Sequence, residues 1–413
     1  MVKEARVQHE VLAGGSYVES LGIDQEDNLT WGASFAVKPT WHPIPFRAVL
    51  NAAIATTTFH TFNTTGVVKA ITEIHVTAGN DAGAVTGAIY KDRDTVAAGA
   101  GVSLMTSTFN LKGTAETQQT ATVVTATDTN TGLPTNRFKA GDSLSFKLTG
   151  TPTTAAGVFV TVWVQYDLPV FEASWYSAAA TSTDQAFFIA NRSYPVRAIR
   201  YRHATAETTD TTANVQVVHS TGTDAPGAGT DILTNDGSAG FDINAAANTV
   251  QVATGTMPTL QYGERLTIDF NSTQTEGAGI CITAMFTAQA NRIEVPFWMH
   301  DTNVTDAYIF NAARDCRLID GRLLHAVAAG GASTATNEKL RGTTAVGSGT
   351  ALLATTWNLN ATANTVQVLD PVTFANSQEA LFTFTANDRM SIDYADTEQS
   401  LVGVCATYSF MML

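Results

Sequence analysis

The residues that could do chemistry are 8 histidines, 3 cysteines and 37 acids set against 23 lysines and arginines. A zinc site needs imidazole or thiolate ligands at short, fixed spacing. His9, His42, His60, His75, His203, His219, His300 and His325 are scattered, with no His-x-x-x-His pair and no Cys-x-x-Cys. A nucleophilic serine needs a base within hydrogen-bond reach and, in one large class, a Gly-x-Ser-x-Gly elbow. Gly347-Ser348-Gly349 comes nearest, but Gly99-Ala100-Gly101 and Gly227-Ala228-Gly229 stand at the corresponding places of two sibling segments. Alanine at that place reads as a turn.

Oxygen ligands for calcium alternate in Asp128-Thr129-Asn130-Thr131-Gly132 and in Asp301-Thr302-Asn303-Val304-Thr305-Asp306. Neither continues into an EF-hand loop with its distal Glu, and Asp, Asn and Gly are the usual turn formers. Glycoside hydrolysis needs two carboxylates. Asp92 with Asp94, and Asp393 with Asp396, are such pairs, but any acidic protein produces them. The aromatics Trp175 and Tyr176 lie in a connection rather than a module loop, which weakens a sugar platform there. His75 and His203 are register equivalents, which suggests packing or a strand-end hydrogen bond. The chain therefore reads as non-enzymatic, with no catalytic residue, no cofactor and no metal ligand.

Those residues sit on a repeated scaffold. Asn-Ala-Ala-Ala-Asn-Thr-Val-Gln-Val, from Asn244 to Val252, returns with one substitution from Asn360 to Val368, 116 positions later. A period this long is a domain, not a solenoid unit. Gly99–Met105, Gly227–Leu233 and Gly347–Leu353 share a Gly-x-Gly pattern at offsets of 128 and 120, and Lys69-Ala70-Ile71, Arg197-Ala198-Ile199 and Arg317-Leu318-Ile319 are aligned at the same offsets. Strands opened by a turn signal begin at Gly141, Gly263 and Asn387, and final strands at Gly157, Gly279 and Gly403, all offset by 122 and 124. The expected division is an N-terminal arm or anchor at 1–58, repeats at 59–166, 186–288 and 307–413, and linkers at 167–185 and 289–306.

Ser143-Leu144-Ser145-Phe146-Lys147-Leu148 and Arg265-Leu266-Thr267-Ile268-Asp269-Phe270 alternate polar and apolar, the period of a half-buried antiparallel strand. Val158–Val164 is apolar almost throughout and should be central or covered. Abundant threonine and valine suit pleated surfaces. Arg47–Ala55 and Asn311–Leu318 are the only stretches where a helical turn or two is expected. The fold class is all-β: three tandem antiparallel β-sandwich domains, jelly-roll-like, preceded by an extended arm.

Pro43-Ile44-Pro45-Phe46, Leu168-Pro169-Val170-Phe171 and Val295-Pro296-Phe297-Trp298 each precede a module. Proline keeps such stretches out of sheet interiors. They read as stiff linkers packed on a neighbouring domain, with an arm reaching another subunit as the alternative. The candidate anchor or interface residues are Trp31, Trp41, Pro43, Pro45, Phe46, Pro169, Phe171, Pro296, Phe297 and Trp298.

Charged residues make up 15% of the chain and the net charge is −14. Low charge suits packing against ordered proteins; 15% is well under the roughly 25% of average domains. Phosphate binding needs clustered cations. The densest cluster, Arg197–Arg202, reads as a solvated strand edge, so no nucleic-acid partner is expected. No cleaved signal and no apolar span are visible, which leads to the expectation of cytoplasmic synthesis and no membrane. Cys281 and Cys405 occupy equivalent strands and read as small buried residues, unlinked.

Tandem Thr/Ala/Gly-rich sandwiches of this kind resemble structural proteins of tailed bacteriophages. Ala140–Phe146 followed by Gly157–Val162 is similar to the last two strands of phage capsid-decoration and fibre domains. The resemblance implies a virion component assembled in the host cytoplasm. Its implied partners are major capsid or tail proteins, and it implies a homo-oligomer, in particular a trimer. It leads to a capsid decoration (cement) or head-associated protein, with a tail fibre, spike or baseplate protein that binds host glycans as the alternative. Residues 1–58, and Trp31–Phe46 in particular, are the expected anchor.

Overall fold

The computed structural model describes residues 6–12, 16–22, 35–36, 40–48, 56–80, 82–129, 131–151, 154–178, 183–299, 306–369, 379–395 and 401–413. Strands β1 (Arg6–Leu12), β2 (Ser16–Gly22) and β3 (Phe35–Ala36) form a small antiparallel sheet of their own. Ten strands of module 1 follow: β4 (His42–Ala48), β5 (Thr57–Thr61), β6 (Gly66–Ile74), β7 (Thr86–Asp92), β8 (Val102–Ser103), β9 (Phe109–Asn110), β10 (Gln119–Ala121), β11 (Arg137–Phe138), β12 (Ser143–Thr149) and β13 (Val158–Tyr166).

Module 2 repeats them in the same order as β14 (Val170–Ser177), β15 (Gln185–Ile189), β16 (Tyr194–Arg202), β17 (Asn214–Ser220), β18 (Thr230–Asp231), β19 (Phe241–Asp242), β20 (Gln251–Val252), β21 (Thr259–Leu260), β22 (Arg265–Phe270) and β23 (Ile280–Thr287). Module 3 repeats them as β24 (Arg292–Met299), β25 (Ala307–Asn311), β26 (Cys316–Leu324), β27 (Thr334–Leu340), β28 (Thr350–Ala351), β29 (Trp357–Asn358), β30 (Gln367–Val368), β31 (Thr383–Phe384), β32 (Arg389–Tyr394) and β33 (Val404–Met412). The only α-helix among the described residues is the single turn α1, Glu379–Phe382.

Each module is two antiparallel sheets. In module 1 their orders are β10-β6-β13-β4 and β5-β12-β7-β8, with β11 and β9 joining β6 and β7. Taking β8 with β9, and β10 with β11, as single broken strands leaves eight. The two sheets then read 1-8-3-6 and 2-7-4-5, a jelly roll. Modules 2 and 3 have the same order.

The segments expected as linkers are therefore the first strands of the modules. β4, β14 and β24 pair along their length with the last strands β13, β23 and β33. Each is an edge strand. Pro43 and Pro45 are two apart, so both missing N–H groups point the same way, to the unpaired side, as an edge strand allows. Pairing also corrects the alignment of these segments. Thr161 faces Pro45, Thr283 faces Ser174 and Thr407 faces Pro296. Pro169 lies outside β14, in the exposed turn before it, and has no counterpart in Pro45 or Pro296.

A second correction has the same character. Ala70, Ala198 and Asp320 pair with the equivalent Trp163, Met285 and Ser409. The partner of Lys69 and Arg197 is thus Ile319, not Arg317. A slip of two residues keeps every side chain on its own face, so alternation does not reveal it. The expected helical turn at Asn311–Leu318 is instead the end of β25, a bend and the start of β26. Arg47 and Ala48 are strand, and 49–55 lie outside the described residues.

The repeated string is scaffold. Gln251 exchanges two hydrogen bonds with the backbone of Asp242, at 3.0 and 2.6 Å. Gln367 does so with Asn358, at 2.8 and 2.7 Å, and Gln119 with Asn110, at 2.9 Å each. Each amide thereby joins the two sheets of its module. Asn248, Asn364 and Glu116 hold positive φ of 63°, 60° and 60°, a region that Asn tolerates better than most residues. From there their N–H groups reach the carbonyls of His203, His325 and His75 at 2.7, 2.8 and 2.9 Å. The strand-end hydrogen bond expected for His75 and His203 thus exists on their carbonyls, and His325 is the third member.

The modules close into a ring. Strands β4, β14 and β24 contact one another. Strand β5 lies on β14 and β23 of module 2, β15 on β24 and β33 of module 3, and β25 on β4 and β13 of module 1. The order 1→2→3→1 is a pseudo-threefold axis within one chain. Leu413 N–H donates to Asp315 at 3.1 Å, as Asp167 N–H donates to Thr65 at 3.0 Å. So Leu413 ends where module 1 would pass into module 2, and Thr40 stands in register with Pro169. A circular permutant that starts at Val170, ends at Tyr166 and joins Leu413 to Thr40 by a short linker should fold. Its Tm should lie within about 3 °C of the parent chain begun at residue 40; an aggregated or molten product would contradict the closed ring.

Candidate functional site at the pseudo-threefold axis

The last strand of each module explains why the ring closes. Val158, Val160, Val162 and Val164 of β13 point into the module's own core. The alternate residues Phe159 and Trp163 belong to clusters with Tyr308 and with the core of module 3. In β33, Val404, Ala406, Tyr408 and Phe410 line the module 3 core, while Cys405 packs with Ala186 and Ile189 of module 2. In β23, Ile280, Ile282, Ala284 and Phe286 line the module 2 core, and Cys281 joins the core of module 1. Period-two alternation is erased because both faces are buried. All three cysteines are free and buried, and burial pushes the Cys281 thiol up to about 12.

At the axis, three register equivalents each reach into the preceding module. Arg47 donates to the carbonyls of Tyr308 at 3.0 Å and Ile309 at 2.9 Å, with its guanidinium 4.8 Å from the Phe297 ring. The Tyr176 hydroxyl accepts from Arg47 N–H at 2.6 Å and donates to Arg47 C=O at 3.1 Å. Trp298 donates to the Ser174 carbonyl at 2.9 Å and packs edge-on against Tyr176 at 4.9 Å. Burial lowers the Arg47 pKa to about 10, opposed by Tyr176 and Tyr408, so the guanidinium stays charged at neutral pH.

The seams off the axis differ chemically. Between modules 1 and 2, Glu172 accepts from Asn63 N–H at 2.7 Å and from the Tyr166 hydroxyl at 3.1 Å, and lies 2.8 Å from His60 Nε2. His60 Nδ1 is 2.6 Å from Ser174 Oγ. Serine, histidine and glutamate in this order have the composition of a nucleophilic triad. Here His60 is 0% exposed and Glu172 is 4% exposed, Ser174 is part-buried, and its Oγ is also 2.8 Å from Thr283 Oγ1, so the trio ties the two modules together. Between modules 2 and 3, Glu294 occupies the register of Glu172. It accepts from Asn191 at 3.1 Å, Tyr194 at 2.5 Å and Ser409. Burial raises its carboxyl to about 7, against those hydrogen bonds and nearby Arg192.

At the third seam the register equivalents of Asn63 and Glu172 are Ala313 and Pro43. Apolar contact takes over: Trp163 meets Phe310 edge-on at 5.6 Å, and Arg314 lies 5.0 Å over the Trp41 ring. Asn311 bonds Thr72 at 3.2 Å, and Arg389 bonds the Glu116 carbonyl at 3.2 Å.

Of the candidate interface residues, Trp41, Pro43, Pro45, Phe46, Phe171, Pro296, Phe297 and Trp298 lie in or beside the first strands, Pro169 is the exposed turn residue, and Trp31 lies outside the described residues. Phe46, Phe171 and Phe297 fill the cores of modules 1, 2 and 3. Trp175 and Tyr176 are buried and form no sugar platform.

Sequence reasoning missed the buried arginines. Arg202, expected on a solvated edge, is 0% exposed and bonds Ser143 Oγ at 3.1 Å and the Val96 carbonyl across the first seam. Arg265 and Arg389 hold the equivalent loops of their own modules, through the carbonyls of Gly222 at 2.9 Å and Gly342 at 2.8 Å. In module 1 that register holds Ser143, and Arg202 of the next module supplies the guanidinium. Only the alignment of Ser143 with Arg265 and Arg389 hinted at this.

Asp128 accepts from Gly132 at 2.8 Å and pairs with Arg93, the turn expected there; 301–305 lie outside the described residues. No group of three or more His, Cys, Asp or Glu among the described residues could hold a metal. A cavity of about 20 Å³ beside Arg47 at the third seam fits a single water at most. No described helix is long and apolar enough to cross a membrane.

No protein-family model matches the chain, and no curated protein matches it.

Trp298→Ala should cost about 2–3 kcal/mol, below the range for fully buried tryptophan because Trp298 is half-buried. Urea unfolding measures it; a loss under about 1 kcal/mol would mean the axis contributes little. Glu294 titrates near 7 folded against 4.5 unfolded. Its contribution is fully present below pH 4.5 and is lost as pH rises through 7, by about 3 kcal/mol in all. Glu294→Gln should flatten the urea midpoint across that window. An unchanged pH profile would show that Glu294 is ionised throughout.

Proposed function

We propose that the chain is a non-enzymatic structural component of a phage particle, a decoration (cement) or head-associated protein that stabilises the shell. The observation that carries this reading is the closed pseudo-threefold ring of three jelly rolls. Several of its buried polar and charged groups, among them Glu172, Glu294 and Arg202, tie one module to the next. The low surface charge and the resemblance to phage decoration and fibre domains point the same way. Stabilisation would come from many modest contacts spread over adjacent shell subunits, strengthened by engaging several at once. The polar trio His60, Glu172 and Ser174 is read as structural on the ground that its histidine has no access to solvent.

The test is the copy number of the protein in particles of the virus that encodes it, by quantitative mass spectrometry against the major shell protein. A simple fraction of the shell copy number is expected. A handful of copies would move the protein to the tail, and absence from the particle would overturn the virion reading.

A further inference from the structure

We infer that the docking unit is one chain rather than three. Its partner would be a site made by three copies of one protein around a threefold or local threefold axis. The ring meets that site with the end where residue 40 enters and Leu413 finishes. This rests on the virion reading and adds to it a stoichiometry and a face.

A trimer of separate sandwiches would have to bury three strand edges and three sheet faces between chains. Here β4, β14 and β24 cover one another at the axis, and β5, β15 and β25 each cover the neighbouring axial sheet. The third seam, which no peptide links, is closed by the same strands as the other two. The surfaces that a homotrimer would use are thus consumed inside one chain. What remains outside is one backbone path presented three times around an axis. A partner with one site would match a third of it. A partner with three equal sites around an axis matches all of it.

The face follows from the chain path. Strands β13 and β33 run toward the same end of their modules. There the exposed turn 167–169 leads into module 2, and the chain ends in register with Asp167. Leu168 is 55% exposed, Met411 38% and Leu413 53%. These are among the few large apolar side chains that the described structure leaves in water. Thr40, which stands in register with Pro169, enters the ring at this end too. Three of the eight exposed large apolar side chains among the described residues thus fall at the end where residue 40 enters the ring, and that end is taken as the contact face.

The experiment uses the full chain and undecorated shells of the encoding virus. Sedimentation of the free protein should show a monomer, and saturation should fall at one chain per three shell subunits. The variant Leu168→Glu with Leu413→Glu should keep the parental Tm and bind at least tenfold more weakly. A free trimer, or three chains per axis at saturation, would overturn the inference while leaving the virion reading intact. Undiminished binding of the folded double variant would overturn the face. No binding to shells, with no chain found in particles, would overturn both.

Discussion

The structure depends on one constraint: the last strand of every module is buried on both faces. One face completes the module's own sandwich. The other would expose residues such as Phe159, Trp163, Cys281 and Cys405 if the module stood alone. Each module therefore needs a neighbour, and with three modules the need is met only when the third returns to the first. Ring closure is the way every module satisfies the same strand, and it requires no dedicated closing element.

Given that constraint, the seams could diverge without changing the architecture. Two use a buried glutamate that gathers hydrogen bonds from an asparagine and a tyrosine. The third has alanine and proline at the two key registers and a Trp163–Phe310 contact instead. The changes are paired: where asparagine is lost, its carboxylate partner is lost as well. A buried carboxylate without donors is costly; at the second seam Asn191 supplies one of those donors from its side chain, whereas at the first Asn63 supplies its main-chain N–H. The loop-holding arginines follow the same logic. Ser143 takes the arginine position in module 1, and Arg202 arrives from module 2 to meet the loop carbonyl. Interfaces that differ in chemistry on a common backbone also set the register of the ring, because a module placed at the wrong seam would leave Glu172 or Glu294 facing apolar groups.

The all-β class, the three modules and the covered nature of Val158–Val164 were legible in sequence, because side-chain alternation and turn residues report local geometry directly. The first strands were not. Proline and aromatic residues before each module fit a linker as well as an edge strand, and only the partner strand distinguishes them. The alignment of Arg317 with Lys69 failed for a geometric reason, since a shift of two leaves the buried face unchanged. Arg202 failed for another: a charged residue on a strand looks solvated until the neighbouring loop that uses it is in place.

The sequence by itself determined the module. Its strands, its turns and the Thr-Val-Gln-Val string that ties its two sheets together depend on contacts within about 120 residues, and those contacts repeat with the chain. The tertiary structure alone decided that the modules form a ring rather than a line, and which buried groups meet at each seam. His60 with Glu172, Asn191 with Glu294 and Trp163 with Phe310 are more than a hundred residues apart. Nothing in local periodicity encodes such a pairing, because it arises only when two complete sandwiches share one strand's outer face.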